Sequence, residues 1–337
     1  MSKKNSNVNL KNGFKDFKDL SSIFFNFKNK LDSLNKKNYV VAVSGGPDSL
    51  ALAALTKSYA YNKKTKFQYL LVDHNIRKNS YQEAKKVKNL LKKRGISLKI
   101  FTNKKKITKN IQAEARNTRY EILSNYCKKN KIKTILTAHN LEDQVETFFI
   151  RLSRGSGLKG LSSMKQLSRI DSQVNLYRPL LEVKKKFLVK ISKKIFGTYF
   201  RDPSNKNEKF LRTKIRSLKK PIEKSGIKYE QIFRSIQNLS LSKLTLQEYH
   251  NKTFKELIKK RNGKILVNIE KYKKLNNDTK IKFINECIKK LKNNYYDLRS
   301  KKVDNLIKKI NRRDFSKSTL GGCIFFKNGE NLCLKPE

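Results

Sequence analysis

The chain is poor in acidic residues, and this imbalance is its most pronounced compositional feature. Only 27 of its 337 residues are Asp or Glu, against 80 Lys and Arg, which gives a formal net charge of +53. Such a positive field attracts polyanions, and nucleic acid is the first candidate partner. A coding bias toward lysine is the alternative explanation, so the composition alone leaves the partner open.

Cysteine is scarce, and long apolar runs are missing. The four cysteines form no C-x-x-C pair, which argues against a zinc ribbon, a cysteine-ligated iron–sulfur site or a dithiol redox centre. No apolar run approaches the roughly 20 residues that cross a bilayer, and the N-terminus has no signal-peptide core. These features predict a cytoplasmic protein with no membrane partner.

Apolar segments alternate with helical patterns between residues 39 and about 152. The expected strands are 39–43, 67–72, 98–101 and 134–138, and helices are expected from about 49, 80, 111 and 141. This order predicts an α/β fold with a parallel, doubly wound sheet. Ligands bind such sheets at the carboxyl ends of the strands, so the loops after Val43, Val72 and Ala138 should converge.

The sequence predicts three segments. Residues 1–35 form an N-terminal extension, expected to be a helix packed on the next domain, and residues 36–220 form the α/β domain. Residues 221–337 form a smaller, basic α+β domain that ends in a hairpin, because Asn328-Gly329 separates two apolar runs. An aperiodic linker is expected at about 217–228.

The turn after the first predicted strand has the composition of a phosphate-binding loop. It consists of Ser44, Gly45, Gly46, Pro47, Asp48 and Ser49. Paired glycines let backbone amides approach phosphate oxygens, and the following helix directs its positive end to the same place. A carboxylate there repels phosphate unless a cation lies between them, so we infer Mg²⁺ at Asp48. A helix cap is the alternative role for Asp48, but it does not explain the glycines.

Two other nucleotide-binding motifs are excluded by their pattern or context. The Walker motif G-x-x-x-x-G-K-[ST] does not occur in the chain. The pattern G-x-G-x-x-G occurs once, at Gly155–Gly160, but it follows a predicted helix instead of a strand. The loop at Ser44–Ser49 is therefore the candidate nucleotide site.

Several further segments carry polar residues in a characteristic order. They are Asp73–Arg77, Asn110–Tyr120, Thr137–Thr147, Arg151–Leu161, Arg178–Leu181 and Asp202–Asn205, followed by Phe210, Arg212 and Arg216. The S-G-G-x-D-S loop resembles the PP-loop of the N-type ATP pyrophosphatases. With the further segments, residues 38–220 are similar to the tRNA(Ile)-lysidine synthase family. Many members of that family have a second His where this chain has Asn140.

The resemblance implies a two-step ligation on RNA. ATP activates C2 of cytidine 34 in the CAU anticodon of tRNA(Ile), and the amine of free L-lysine then displaces AMP to give lysidine. The loop Ser44–Ser49 and Asp73 would bind ATP, with Mg²⁺ at Asp48. Arg116 would stabilise charge on the reacting phosphate, and His139 would contact the nucleotide or a proton in transfer. Arg116 and Arg119 have an alternative role as partners of Glu83 or Glu114, and His139 as a structural residue.

Asp143 and Glu146 are the predicted lysine-binding residues. They lie three residues apart on one face of a predicted helix, and an amine substrate requires carboxylates. The family precedent agrees with this position, whereas solvated surface charges are the alternative. Arg154, Arg212 and Arg216 are predicted to contact tRNA phosphates, as is the C-terminal domain.

Two other functions remain compatible with the sequence. One is a PP-loop tRNA thiolase, although most such enzymes need paired cysteines or a cysteine near the site. The other is a non-catalytic RNA-binding protein on the same fold, which the presence of Asp48, Asp143 and Glu146 disfavours.

Overall fold

A computed structural model describes residues 10–337 except 13, 16, 62, 78, 106, 108, 109, 201–209, 293–297 and 299. The motif Asp202–Asn205 lies outside the described residues. The chain forms two compact units, Met1–Leu239 and Ser240–Glu337. The domain boundary at residue 220 stays a prediction.

The first unit contains a six-stranded sheet in the order β3-β2-β1-β4-β6-β5. The strands are β1 (Asn38–Ala42), β2 (Lys66–Asp73), β3 (Leu98–Thr102), β4 (Thr134–Leu136), β5 (Leu167–Arg169) and β6 (Asn175–Tyr177). All neighbouring strands are parallel except β5 and β6. The predicted α/β fold is therefore confirmed, and the sequence analysis does not predict two short strands of this sheet, β6 and the edge strand β5.

Helices connect and flank these strands. They are α1 (Lys18–Leu34), α2 (Pro47–Tyr61), α3 (Ser80–Lys92), α4 (Ile111–Lys129), α5 (Leu141–Leu152), α6 (Leu158–Leu161), α7 (Lys185–Phe196), α8 (Leu211–Ser217), α9 (Lys219–Lys224) and α10 (Tyr229–Leu257). Helix α10 continues into the second unit. Within the part of the chain that the structure describes, every helix is too short or too polar to cross a bilayer.

Burial on both faces of the sheet explains why β1 is apolar throughout. Tyr39 and Val41 point into a core that also contains Leu20 and Phe27 of α1. Val40 points to the opposite face, where it packs with Leu123 of α4. Successive side chains of a strand alternate between faces, so a central strand with both faces covered has few polar positions.

The expected aperiodic linker at 217–228 is wrong in its conformation. Helix α8 reaches Ser217, and α9 follows almost directly. Pro221 is tolerated because it lies in the first turn of α9, where no helical hydrogen bond is lost. In α8 and α9, Ile215 is buried and Ile222 packs against the core. Two apolar contacts are too few to produce a helical periodicity in the sequence.

The second unit is an antiparallel sheet with helices, which agrees with the α+β expectation. Its strands are β7 (Lys259–Arg261), β8 (Lys264–Asn268), β9 (Lys317–Leu320), β10 (Cys323–Asn328) and β11 (Asn331–Pro336), in the order β7-β8-β11-β10-β9. Its further helices are α11 (Ile269–Lys273), α12 (Asn277–Leu291) and α13 (Ser300–Ile310). The predicted hairpin is confirmed: Asn328 pairs with Asn331, and Gly329 turns with a φ of +58°.

Candidate active site

The loop between β1 and α2 is held by hydrogen bonds within itself. The Ser49 hydroxyl donates to the carbonyl of Gly46 at 3.0 Å and accepts from the amide of Ser44 at 3.1 Å. The Ser44 and Ser49 hydroxyl oxygens are 3.2 Å apart. These serines therefore fix the shape of the loop. At the start of α2, Pro47 has no amide hydrogen and the Leu50 amide donates to the Gly46 carbonyl at 3.0 Å. The amides of Asp48 and Ser49 are therefore the helix-end donors left to an anion.

Gly45 is required by both its conformation and its surroundings. Its φ is +81°, and a Cβ atom built there would lie 2.5 Å from a methyl carbon of Val87. Its carbonyl accepts a hydrogen bond from the amide of Phe200 at 3.0 Å. The backbone thus approaches its neighbours more closely than a side chain would permit.

Asp48 lies at the start of α2 with much of its carboxylate buried. Its Oδ2 is 3.8 Å from the Lys185 ammonium, and the side chain is 24% exposed. Its Oδ1 is buried and has no hydrogen-bond partner among the described residues. Burial raises the pKa of Asp48 to about 7; the Lys185 charge opposes this rise and the Asp143 charge adds to it. Lys185 connects Asp48 to α5, because the Lys185 amide donates to Glu142 at 2.8 Å.

Asp73 is a second carboxylate with an unsatisfied oxygen. One oxygen accepts the amide of Asn75 at 3.0 Å, which orders the turn after β2. The other is buried and lacks a partner in the described part of the chain. Asp73 therefore both shapes this loop and retains an acceptor for a ligand.

The donor set fits Mg²⁺ held jointly with a nucleotide. No group of three His, Cys, Asp or Glu side chains suited to a metal occurs in the described residues. Mg²⁺ is commonly bound by one or two carboxylates together with phosphate oxygens and water. The unsatisfied Oδ1 of Asp48 meets this requirement, whereas a metal site built from protein ligands alone is not supported.

His139 lies among positive charges and is neutral. Burial lowers its pKa well below the ordinary value, and Arg178 and Arg116 lower it further. Its Nδ1 is 3.0 Å from the Thr137 hydroxyl. A neutral imidazole in this position can donate or accept one hydrogen bond but is not a charged acid.

Among the residues that the structure describes, no ion pair joins Arg116 or Arg119 to Glu83 or Glu114, the carboxylates named as alternative partners. Glu83 is paired with Arg77 at 3.0 Å. Arg116 lies over the ring of Tyr120 at 5.0 Å, and a guanidinium nitrogen of Arg119 is 3.3 Å from His74 Nε2. The Arg116 charge contributes to the lowered pKa of His139.

Helix α5 begins with a capping box that explains Asn140. The Asn140 side chain accepts the amide of Asp143 at 3.0 Å, and Asp143 Oδ2 accepts the amide of Asn140 at 3.1 Å. Asn is a favoured residue at this position because its oxygen satisfies an amide that the helix leaves free. Asn140 is thus explained by helix capping.

Asp143 and Glu146 share one ion cluster with two of the predicted tRNA-binding arginines. Arg212 donates to Asp143 Oδ1 and to Glu146 Oε2, both at 2.7 Å. Arg216 donates to Glu146 Oε1, also at 2.7 Å. Since Asp143 Oδ2 belongs to the capping box, all four oxygens of the two carboxylates accept a hydrogen bond.

Two lysines beside this cluster were not identified from the sequence. The backbone amide of Lys185 donates to Glu142 at 2.8 Å, and Lys219 donates to the other oxygen of Glu142 at 3.1 Å. With 80 basic residues in the chain, nothing in the local pattern distinguishes either one.

Arg154 is not brought to this cluster. It is exposed just beyond the end of α5, 11 residues after Asp143. At the rise of an α-helix, that separation is about 16 Å. Arg154 is therefore separate from the carboxylates of α5.

Comparison with known proteins identifies the class and then the family. Residues 20–221 match the PP-loop domain family, so the first unit is a PP-loop, ATP-binding domain. The tRNA(Ile)-lysidine synthase of Wolbachia pipientis wMel is 31% identical over 321 residues, covering 94% of this chain and 74% of that protein. That of Orientia tsutsugamushi (strain Boryong) is 42% identical over 183 residues, covering 53% of this chain and 41% of that protein. The chain belongs to the tRNA(Ile)-lysidine synthase family, and it is a ligase.

A solved structure supports the fold independently. The U34-tRNA thiolase NcsA from Methanococcus maripaludis, solved with its [4Fe-4S] cluster, is similar with a TM-score of 0.56 and 19% identity. The match covers 65% of this chain and 78% of the thiolase. At this identity the similarity establishes the architecture alone.

Proposed function

We propose that this enzyme joins free L-lysine to C2 of cytidine 34 in the CAU anticodon of tRNA(Ile), giving lysidine, AMP and pyrophosphate. The observation that carries this proposal is the carboxylate pair Asp143 and Glu146 beside the PP-loop. An aliphatic amine is bound by carboxylates, and Lys185 connects the helix that bears them to the nucleotide loop: its amide donates to Glu142 of α5 at 2.8 Å, and its ammonium is 3.8 Å from Asp48 Oδ2. An amine and an activated nucleotide would thus meet at one edge of the sheet.

The residues of the loop have separate roles in this proposal. The turn Ser44–Ser49 would hold the phosphates of ATP, and Asp73 would face the nucleoside. Asp48 would hold Mg²⁺, which when bound would neutralise phosphate charge. Arg116 would stabilise the charge that develops on the reacting phosphate. Neutral His139 would hydrogen-bond the nucleotide without adding a charge.

The RNA partner is supported by the net charge and by the family. Arg154, Arg212 and Arg216 would contact backbone phosphates, and the basic second unit would extend that contact. An enzyme acting on tRNA with ATP and free lysine would work in the cytoplasm. The absence of a membrane-spanning helix among the described residues is compatible with this location.

The cysteines do not support a thiolase. All four are buried, and none forms a disulfide. Burial raises the pKa of Cys127 to about 12, so its thiol is protonated at neutral pH. Cys127 packs with Val40 and Leu123 on one face of the sheet, where it serves the core.

The test is incorporation of labelled lysine into an unmodified tRNA(Ile) transcript with a CAU anticodon, in the presence of ATP and Mg²⁺. A transcript with uridine at position 34 is the control. Label that requires cytidine 34 and is accompanied by AMP is the expected result. AMP without label would indicate another nucleophile, and RNA binding without AMP would indicate a non-catalytic RNA-binding protein.

A further inference from the structure

Helices α5 and α8 meet through opposite charges placed in register. Asp143 and Glu146 are three residues apart on α5, and Arg212 and Arg216 are four residues apart on α8. Either spacing places two side chains on one helix face. Three hydrogen bonds of 2.7 Å join these faces.

The two carboxylates are already neutralised by this contact. Glu146 is only 5% exposed, and its two oxygens bind different guanidinium groups. Burial alone would lower the pKa of Arg212, but Asp143 and Glu146 outweigh it and raise that pKa. A substrate ammonium therefore competes for oxygens that already have cationic donors.

Two polar groups beside the cluster are buried without partners. The Asn140 side-chain amide nitrogen and the Tyr229 hydroxyl have no hydrogen-bond partner within the described residues, and both residues are at most 3% exposed. Tyr229 packs with Val145 of α5, and the Lys219 ammonium lies 4.9 Å from the centre of its ring. Burying a polar group without a partner costs free energy, so such groups are rare in folded proteins. Two of them beside one ion cluster indicate a site that a polar ligand completes.

We propose that Arg212 and Arg216 exchange between two partners: the carboxylates of α5 when RNA is absent, and phosphates of the RNA when it is bound. The amino-acid site would then open only after RNA binding, which sets the order of substrate addition. This inference rests on the proposed function. Arg212 and Arg216 act as positioning residues because they control whether Asp143 and Glu146 are open to the amine.

The energetics permit such an exchange. Removing one partner from a buried ion pair is costly because the other charge stays buried and uncompensated. In the exchange, RNA phosphates would pair the arginines and the lysine ammonium would pair the carboxylates, so the two ligands together offset this cost. Guanidinium groups bind phosphate as well as carboxylate in a bidentate manner. Coupling between two ligands through such a contact is typically worth about tenfold or more in affinity.

The experiment measures lysine affinity by calorimetry on the full chain without ATP, with and without an RNA stem-loop carrying the CAU anticodon. In the wild type, RNA should strengthen lysine binding by about tenfold. Arg212→Gln/Arg216→Gln should bind lysine at the strengthened affinity without RNA, and added RNA should change it little. Lysine should also raise the Tm of this variant more than that of the wild type, because it pairs carboxylates left buried and bare.

Lys219→Gln is the matched control. Lys219 is three residues beyond Arg216 but donates to Glu142 instead of to the pair. Its loss should leave the RNA effect on lysine binding intact. If the double variant does not fold, the wild-type comparison still decides the question.

The outcomes separate this inference from the proposed function. Lysine that is incorporated normally but binds the wild type equally well with and without RNA would overturn the exchange alone. Formation of AMP with no lysine binding or incorporation in any variant would overturn the proposed function, and the exchange with it.

Discussion

The candidate site has a nucleotide end, formed by the loop Ser44–Ser49 and Asp73, and an amino-acid end, formed by Asp143 and Glu146. The two ends differ in whether their carboxylate oxygens already have hydrogen-bond partners. At the nucleotide end, Asp48 and Asp73 each keep one buried oxygen without a partner among the described residues. At the amino-acid end, all four oxygens of Asp143 and Glu146 accept hydrogen bonds. The first end is preorganised for a ligand, whereas the second must exchange existing partners for one.

This difference follows from how each end is built. The nucleotide loop consists of six consecutive residues whose shape depends on local hydrogen bonds and one glycine conformation. The amino-acid end joins groups that are far apart in the chain, with Arg216 following Glu146 by 70 positions. Local geometry gives rigidity, while long-range ion pairs can be exchanged.

Asp48→Asn should have the largest effect, because it removes the charge that the nucleotide end offers to a cation. We expect AMP release and lysine incorporation to fall on the order of 10³-fold, since metal-assisted charge stabilisation is worth several kcal/mol. RNA binding, measured by filter retention, should not change. Normal turnover in this variant would disprove the role of Asp48.

Asp19→Asn is the control for that substitution. Asp19 is a surface carboxylate of α1, paired with Lys190 at 2.6 Å.

The Asp48→Asn variant should fold as well as the wild type. Burial raises the pKa of Asp48 to about 7, so the ionised carboxylate costs stability that accumulates as the pH rises from about 4 to 7. The asparagine variant avoids this cost and should be at least as stable as the wild type at neutral pH and above.

Gly45→Ala tests the preorganised geometry of the loop. The variant should lose about 3 kcal/mol of unfolding free energy, from a positive φ and from overlap with Val87. Urea denaturation measures this loss. Gly155→Ala is the control, because Gly155 has a φ of +65° but no heavy atom within 4 Å of the added methyl; it should cost about 1 kcal/mol.

A double substitution separates strain from overlap. In Gly45→Ala/Val87→Ala, the methyl carbon 2.5 Å away is removed, so the combined loss should be about 1 kcal/mol smaller than the sum of the single losses. If the loss of unfolding free energy in the double variant equals the sum of the two single losses, the contact with Val87 is not the reason why position 45 requires glycine.

His139 gives a smaller effect that depends on pH. Its pKa is lowered in the folded protein by burial and by Arg178 and Arg116, so the unfolded chain binds more protons below about pH 6.5. Stability should therefore fall as the pH decreases, by about 1 to 2 kcal/mol between pH 8 and pH 5. His139→Asn should remove this component from the urea-denaturation profile. Parallel profiles for the two proteins would show that His139 is not held neutral.

The sequence predicted the features that depend on contiguous residues. The parallel sheet, the loop Ser44–Ser49 and the helix bearing Asp143 and Glu146 were all found in the structure. The partners of those carboxylates were not predicted, because a charge run does not specify what it contacts. Lys185, the first residue of α7, approaches Asp48. The sequence does not predict this contact, because one lysine among 80 basic residues carries no positional signal.

The smallest effect is expected for Arg154, which tests where the basic surface ends. Arg154→Gln should weaken RNA binding by less than about threefold and reduce the slope of log affinity against log salt by about one, as expected for a single phosphate contact. Lys129→Gln is the matched control, because Lys129, like Arg154, is an exposed basic residue at the C-terminal end of a helix, in this case α4. An equal effect of both substitutions would mean that RNA senses the overall charge, whereas a selective loss at Arg154 would extend the RNA path along α5.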